Sequence, residues 1–295
     1  ISTSDGRAQA DVTAAIVVLD DEGKIVSAQL DTVQTKINFP DGVLQNLNEV
    51  DLRSKYQKKD DYGMIVASPL GKEWFEQADA FEKAIVGMTA EDIENIPLVN
   101  NNGHMVADDE TIYAGCTIDI TSFQEAIIKA CNDEYAKEFS ASDFSLGIGN
   151  FSTLEGTTEA TSYSEGIASF NTAFIGSVYD SEDKILACLI DNSWIEVGFD
   201  TEGAITSVPT DLRTRKEMKD DFGMIVASPI GKEWYEQITA FENAIVGMTA
   251  KEVSEIKTIN KNHMVAEDET IYAVCTISIP AFQLGIVDSF NARQN

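Results

Sequence analysis

Positive charge is scarce in this chain. Lys and Arg number 21 against 50 Asp and Glu, giving a formal charge of −29. Such a surface repels phosphate backbones and anionic lipid heads, so neither nucleic acid nor bare membrane is an expected partner. No run of about 18 apolar residues occurs, so no segment reads as a membrane-spanning helix. Membrane contact is expected only through an N-terminal lipid anchor outside these residues. Cysteine is sparse at four residues and histidine at two, and one histidine in each half of the chain falls short of a closed zinc site. There is no Gly-x-Ser-x-Gly elbow, no phosphate loop and no Cys-x-x-Cys pair. Gly147-Ile148-Gly149 lacks the third glycine of a dinucleotide fingerprint. Paired carboxylates are common, but among 50 acids they say nothing about acid–base chemistry. No residue points to a hydrolase or a transferase, and the chain is not expected to be an enzyme.

What the chain does contain is itself, twice. Its 295 residues, 43% of them hydrophobic, suffice for two cores. Residues 61–90 recur at 221–250 with 24 of 30 positions identical. The same offset of 160 pairs Asp31 with Asp191, and beyond residue 100 an offset of 159 pairs His104 with His263 and Cys116 with Cys275. The expected organisation is one repeat over 1–138 and a second over 139–295. Residues 144–163 lead into the second copy and have no counterpart in the first. Because Ile1 falls in the middle of a repeat, the natural protein is expected to continue upstream.

Each repeat reads as α+β, a small antiparallel sheet covered by two or three helices. Residues 14–31 form a hairpin, with a turn at Asp21-Glu22-Gly23 and Val26, Ala28 and Leu30 on one face. Ser68-Pro69 is expected to open a helix whose apolar stripe is Trp74, Ala78, Phe81 and Ile85, with Gly87 as its stop. Thr89-x-x-Asp92 and Thr249-x-x-Glu252 look like capping boxes. Residues 110–120 read as a strand entering a last helix that carries Phe123, Ile127 and Cys131, or Phe282, Ile286 and Phe290 in the second copy.

Comparison of the copies separates what both need from what one needs. Cys131 stands where the second copy has Phe290 and Cys188 where the first has Ala28, so both read as apolar filler. Cys116 and Cys275 correspond, and buried thiols, a disulfide and a metal role are the readings open for them, in that order. His104 and His263 are matched, either bonding to loop backbone or facing a ligand. Lys72, Glu73, Glu76 and Gln77 persist as Lys232, Glu233, Glu236 and Gln237, whereas Asp79 has become Thr239. Bonding at the helix terminus is one explanation for the retained polar residues. A shared face for a ligand or a partner is the other.

The phrase Asp20-x-x-Gly-Lys-Ile25, a helix, and then Ala114-Gly115-Cys116-Thr117 before a final helix resembles the FMN-binding domain family. In that family a Ser-Gly-Ala-Thr motif carries FMN on its Thr through a phosphodiester. The resemblance therefore implies Gly115 and Thr117, with Thr276 in the second copy, as cofactor-binding residues. This chain has Ala and Cys where the family has Ser and Ala, and Val274 where it has Gly. With Gly71 to Gln77 and Gly231 to Gln237, the chain also resembles tandem-repeat, often lipid-anchored proteins of anaerobic Gram-positive bacteria. These resemblances imply an extracytoplasmic binding protein on an FMN-domain-like scaffold that has lost its cofactor, its ligand an unknown small molecule or envelope protein. A flavin electron carrier of the cell envelope is the alternative.

Overall fold

The structure, a computed structural model, describes residues 1–294. In the first half, β1 (Ser2–Ser4), β2 (Arg7–Leu19) and β3 (Ile25–Asn38) form an antiparallel sheet in that order. There follow α1 (Lys55–Lys58), α2 (Trp74–Ala84), α3 (Ala90–Glu94), the hairpin β4 (Leu98–Asn101) with β5 (His104–Ala107), α4 (Glu110–Tyr113) and α5 (Thr121–Cys131). The second half begins with β6 (Ser145–Thr153), β7 (Gly166–Tyr179), β8 (Ile185–Phe199) and β9 (Ile205–Ser207), a four-stranded antiparallel sheet in sequential order. Then come α6 (Arg215–Met218), α7 (Trp234–Ala244), α8 (Ala250–Ser254), the hairpin β10 (Thr258–Asn260) with β11 (Met264–Ala266), α9 (Glu269–Tyr272) and α10 (Pro280–Asn291).

The α+β expectation is met, and the layering goes further than the sequence reading. Strands β2, β3, β7 and β8 carry apolar side chains on both faces. One face of the first sheet, with Ala28 and Leu30, packs under Trp74, Ala78, Phe81 and Ile85 of the α2 region. The opposite face of β2 and β3 meets the second sheet. Ala8, Ala10, Ile37 and Phe39 lie against Ala168, Phe170, Ile195, Val197 and Phe199. Ile16, Val18 and Val33 lie against Leu146, Ile148, Phe174 and Val178. The second sheet then buries Cys188 and Ile190 under Trp234, Ile238, Phe241 and Ile245. Helices, sheet, sheet and helices make four layers, so the two halves share a core.

Contacts between the halves are reciprocal. Gln57 donates to Asp288 at 2.8 Å, and 160 positions beyond Gln57, Glu217 pairs with Lys129 at 2.6 Å. Lys129 is the counterpart of Asp288 at the 159 offset. One pair of positions is thus used twice with different chemistry, the pattern of a two-fold interface.

Gly147 and Gly149 find their explanation here. A Cβ on either would collide with the carbonyl oxygens of Ser289 or Gly285, so these glycines let α10 lie directly on β6. They serve packing.

Two local expectations are overturned. Residues 110–120 are not a strand, because Asp109 accepts bonds from Thr111 and Ile112 amides at 2.9 and 3.0 Å and caps α4. Asp119 then accepts the Thr121 amide at the entry to α5, so Cys116 sits buried in a connection. Nor does Ser68-Pro69 open α2, since Glu73 is its N-cap. The capping boxes at Thr89 and Thr249 and the left-handed Gly87 after α2 agree with expectation. Val26 departs from its face, lying exposed while Ala28 and Leu30 are buried.

Candidate functional site

The retained block builds one object in each half. Gly63 turns the chain with φ of 75°, and Met64–Val66 make a single 3-10 turn. The carboxylate of Glu73 accepts the Met64 amide at 2.8 Å and the Ile65 amide at 3.0 Å. Glu76 accepts the Glu73 amide at 2.8 Å. Gln77 uses its Nε2 to reach Ser68 Oγ at 3.1 Å and the Lys72 carbonyl at 3.2 Å. Its Oε1 accepts both the amide of Thr117 at 2.9 Å and its hydroxyl at 3.1 Å. The second half repeats this, with Glu233 on the Met224 and Ile225 amides and Gln237 joining Ser228, Lys232 and Thr276.

Retention of Glu73, Gln77, Glu233 and Gln237 therefore has a structural cause. All four are buried, which corrects the expectation that they lie on a binding face. A buried carboxylate or amide persists only when its bonds are made, and here they are made to backbone. Lys72 and Lys232 are half-buried, Glu76 is exposed and Glu236 is half-buried. His104 and His263 are exposed in the small hairpins, and His263 Nε2 lies 2.5 Å from the Thr276 carbonyl oxygen. Two open depressions, of about 340 and 660 Å³, are lined by residues other than these histidines and Lys72 and Lys232.

Gly115 and Thr117 do not fit a covalent flavin. The Thr117 hydroxyl is buried and occupied by Gln77, as is that of Thr276. A Cβ on Gly115 would press on the side chain of Ala80, so this glycine serves the packing of α2 against the segment after α4. Burial pushes the Cys116 thiol up to about 12 and that of Cys275 to about 11, far from a reactive thiolate. All four cysteines are free. Among the described residues, no group of three His, Cys, Asp or Glu is placed to hold a metal ion.

At its turn the block displays apolar side chains to solvent. Val66 is 92% exposed and Ile65 49%, and Val226 and Ile225 have the same values. Both turns present the same two side chains on a backbone fixed by a buried carboxylate. The chain matches no family model, no curated protein and no solved structure.

Sequence reasoning missed a second group. Asp31 and Glu82 are both buried, Asp31 accepting the Tyr56 amide at 3.1 Å and Glu82 the Leu30 amide at 2.7 Å. Burial raises Asp31 to about 7 and Glu82 to about 8. Gln294, from the other half, donates to Tyr56 Oη, Asp79 and Glu82 at 3.1–3.2 Å. In the second half Glu242 takes the place of Glu82, but Lys216 stands where the first half has Tyr56, and its ammonium meets Glu242 at 2.5 Å. The signal was present: Glu82 is retained at 242 although Lys83 beside it has become Asn243 and Asp79 has become Thr239.

Proposed function

We propose that this chain is an extracytoplasmic interaction protein of two tandem homologous modules, without catalytic activity, which engages a protein of the cell envelope through the Met64–Val66 and Met224–Val226 turns. One observation carries the reading: an isoleucine and a valine stand in water at the same place in both halves, on a turn that a buried glutamate holds rigid. Exposed apolar residues without a packing role drift to polar ones at little cost. Two identical pairs gathered on rigid turns fit a pre-organised contact, whose ordering cost is met before binding. A convex turn favours a macromolecular partner over a small molecule, since small ligands seek concave sites.

Site-directed photo-crosslinking on cells that make the protein tests the reading. A photoreactive residue at position 66 should yield a discrete adduct, and position 226 should yield the same adduct. Tyr163, 98% exposed and far from either turn in sequence, serves as the control position. Adducts from 66 and 226 that match those from 163, or none at all, would sink the proposal.

A further inference from the structure

Residues 132–144 join α5 to β6 without helix or strand, yet the first of them are fastened to the second half. Glu134 pairs with Lys219 at 2.8 Å. The ring of Tyr135 lies 6.3 Å from that of Tyr235 and 4.9 Å from the Lys216 ammonium. These contacts bring Lys137 to the flank of α7. Its Nζ donates to Asn243 Oδ1 at 2.8 Å and lies 3.4 Å from Glu242 Oε2. A C=O bond is about 1.2 Å long, so the Asn243 Cγ stands no more than about 4 Å from the amine nitrogen. Atoms poised to react are about 3–3.5 Å apart, a distance within reach of small side-chain rotations.

Glu242 is buried, and its two oxygens are unequal. Oε1 accepts the Ile190 amide at 2.7 Å and the Lys216 ammonium at 2.5 Å. Oε2 is, among the described residues, the one buried carboxylate oxygen without a hydrogen bond, and it faces Lys137. Burial raises the affinity of this carboxylate for a proton above the ordinary. Two lysines meet a single carboxylate here, one of them buried and the other half-buried, so the trio carries one positive charge in excess. Asn243 is particular to this half, since Lys83 stands at the equivalent position of α2. An ordinary hydrogen bond accounts for the contact of Lys137 with Asn243, but not for a buried oxygen left unbonded beside it. A free carboxylate oxygen within reach of an amine is what proton transfer requires.

We propose that the side chains of Lys137 and Asn243 condense to an isopeptide bond, with Glu242 as the proton carrier, and so tie the connection between the halves to α7. Lys137 gives one proton to Glu242 Oε2, and the freed lone pair of Nζ attacks Asn243 Cγ. The Nζ–Cγ bond forms and the Cγ–Nδ2 bond breaks. Nδ2 leaves with both protons shed by the amine, one of them returned by Glu242. Ammonium is the only other product, and neither oxidant nor co-reactant is needed. One positive charge leaves the site with it, so Lys216 and Glu242 remain as a balanced buried pair. The bond closes a covalent loop from residue 137 to residue 243, which restricts the unfolded chain as a disulfide does.

The mass of the intact 295-residue chain, folded and incubated near neutral pH and then denatured, tests the proposal. It should fall below the mass of the sequence by one ammonia, about 17 Da. Tryptic digestion should release a branched peptide that joins Lys137 to Asn243, with no cut after Lys137. Lys137→Arg and Asn243→Ala lie outside both cores and should restore the full mass, as should Glu242→Gln. The first two variants decide the bond whether or not Glu242→Gln folds. Full mass in the parent chain overturns the proposal. So does a loss of ammonia that persists in Lys137→Arg, or one that maps to Asn102-Gly103, where an asparagine before glycine closes on its own backbone. Equal cross-linking in a folded Glu242→Gln chain overturns the role given to the glutamate.

Discussion

Phe39 lies flat on Phe199, ring centroids 4.0 Å apart and planes 13° from parallel. The two residues are 160 positions apart, so the stack joins equivalent points of the two halves. Ile16 touches Gly176 in the same relation. Both contacts join positions related by the sequence repeat across the sheet-to-sheet contact, as an isologous interface joins its own equivalent positions.

Phe39→Ala and Phe199→Ala should therefore destabilise alike. Each removes a fully buried ring from the shared core, a loss of about 3–5 kcal/mol. Equilibrium urea unfolding measures it as a lower midpoint. A cost under about 1 kcal/mol for either would mean that the halves do not depend on this contact.

Gln77→Ala and Gln237→Ala test the structural account of the retained block. Each deletes one side chain that satisfies Ser68 or Ser228, a lysine carbonyl and a threonine amide and hydroxyl, leaving buried groups unpaired. A loss of about 1–3 kcal/mol is expected for each. The threonine amides 117 and 276 should exchange faster with solvent in the matching variant, and unchanged exchange would show that Gln77 is not their partner.

Much of this architecture was legible because it rests on local rules. The β-hairpin alternation, the stripe Trp74-Ala78-Phe81-Ile85 and the capping boxes are decided by residues a few positions apart. The connection at 110–120 reads as a strand because its β-branched residues mimic strand alternation, while the deciding interaction is the Asp109 carboxylate accepting the amides two and three residues on. Retention of Glu73 and Gln77 was visible, but burial was not. Their partners Met64 and Thr117 lie up to 40 positions away, a distance that periodicity does not cover. The face-to-face sheets were hidden for the same reason, since strands apolar on both faces do not name what covers each one.

Stability should fall as pH rises from about 4 to about 8. Burial raises Asp31 to about 7 and Glu82 to about 8, from ordinary values of 3.8 and 4.5. Between those limits the folded chain holds protons that the unfolded chain has released, so stability declines with pH. The stabilisation is complete below the unfolded values and is lost as pH passes through the folded ones. Its size is on the order of a few kcal/mol. Urea midpoints across this range should show the decline, and Asp31→Asn with Glu82→Gln should flatten it. An unchanged slope in the double variant would place the effect elsewhere.

Lys216 and Tyr56 make the corresponding site of each half electrically different, and the difference can be measured. Lys216 and Lys137 both reach Glu242, at 2.5 and 3.4 Å, inside a region where the carboxylate is fully buried. Lys216→Met removes the nearer ammonium and leaves Glu242 with an incompletely compensated charge, at a cost of about 3–5 kcal/mol near neutral pH. Lowering the pH protonates Glu242 and should shrink that cost. Glu242→Gln in the same chain should recover much of it, since the charge that needed a partner is gone. The double-mutant cycle, read from urea midpoints at pH 5 and pH 8, should give a coupling larger at the higher pH. A coupling that is equal at both would mean that the ammonium acts through packing against its neighbours, which include the ring of Tyr135 at 4.9 Å, and not through its charge.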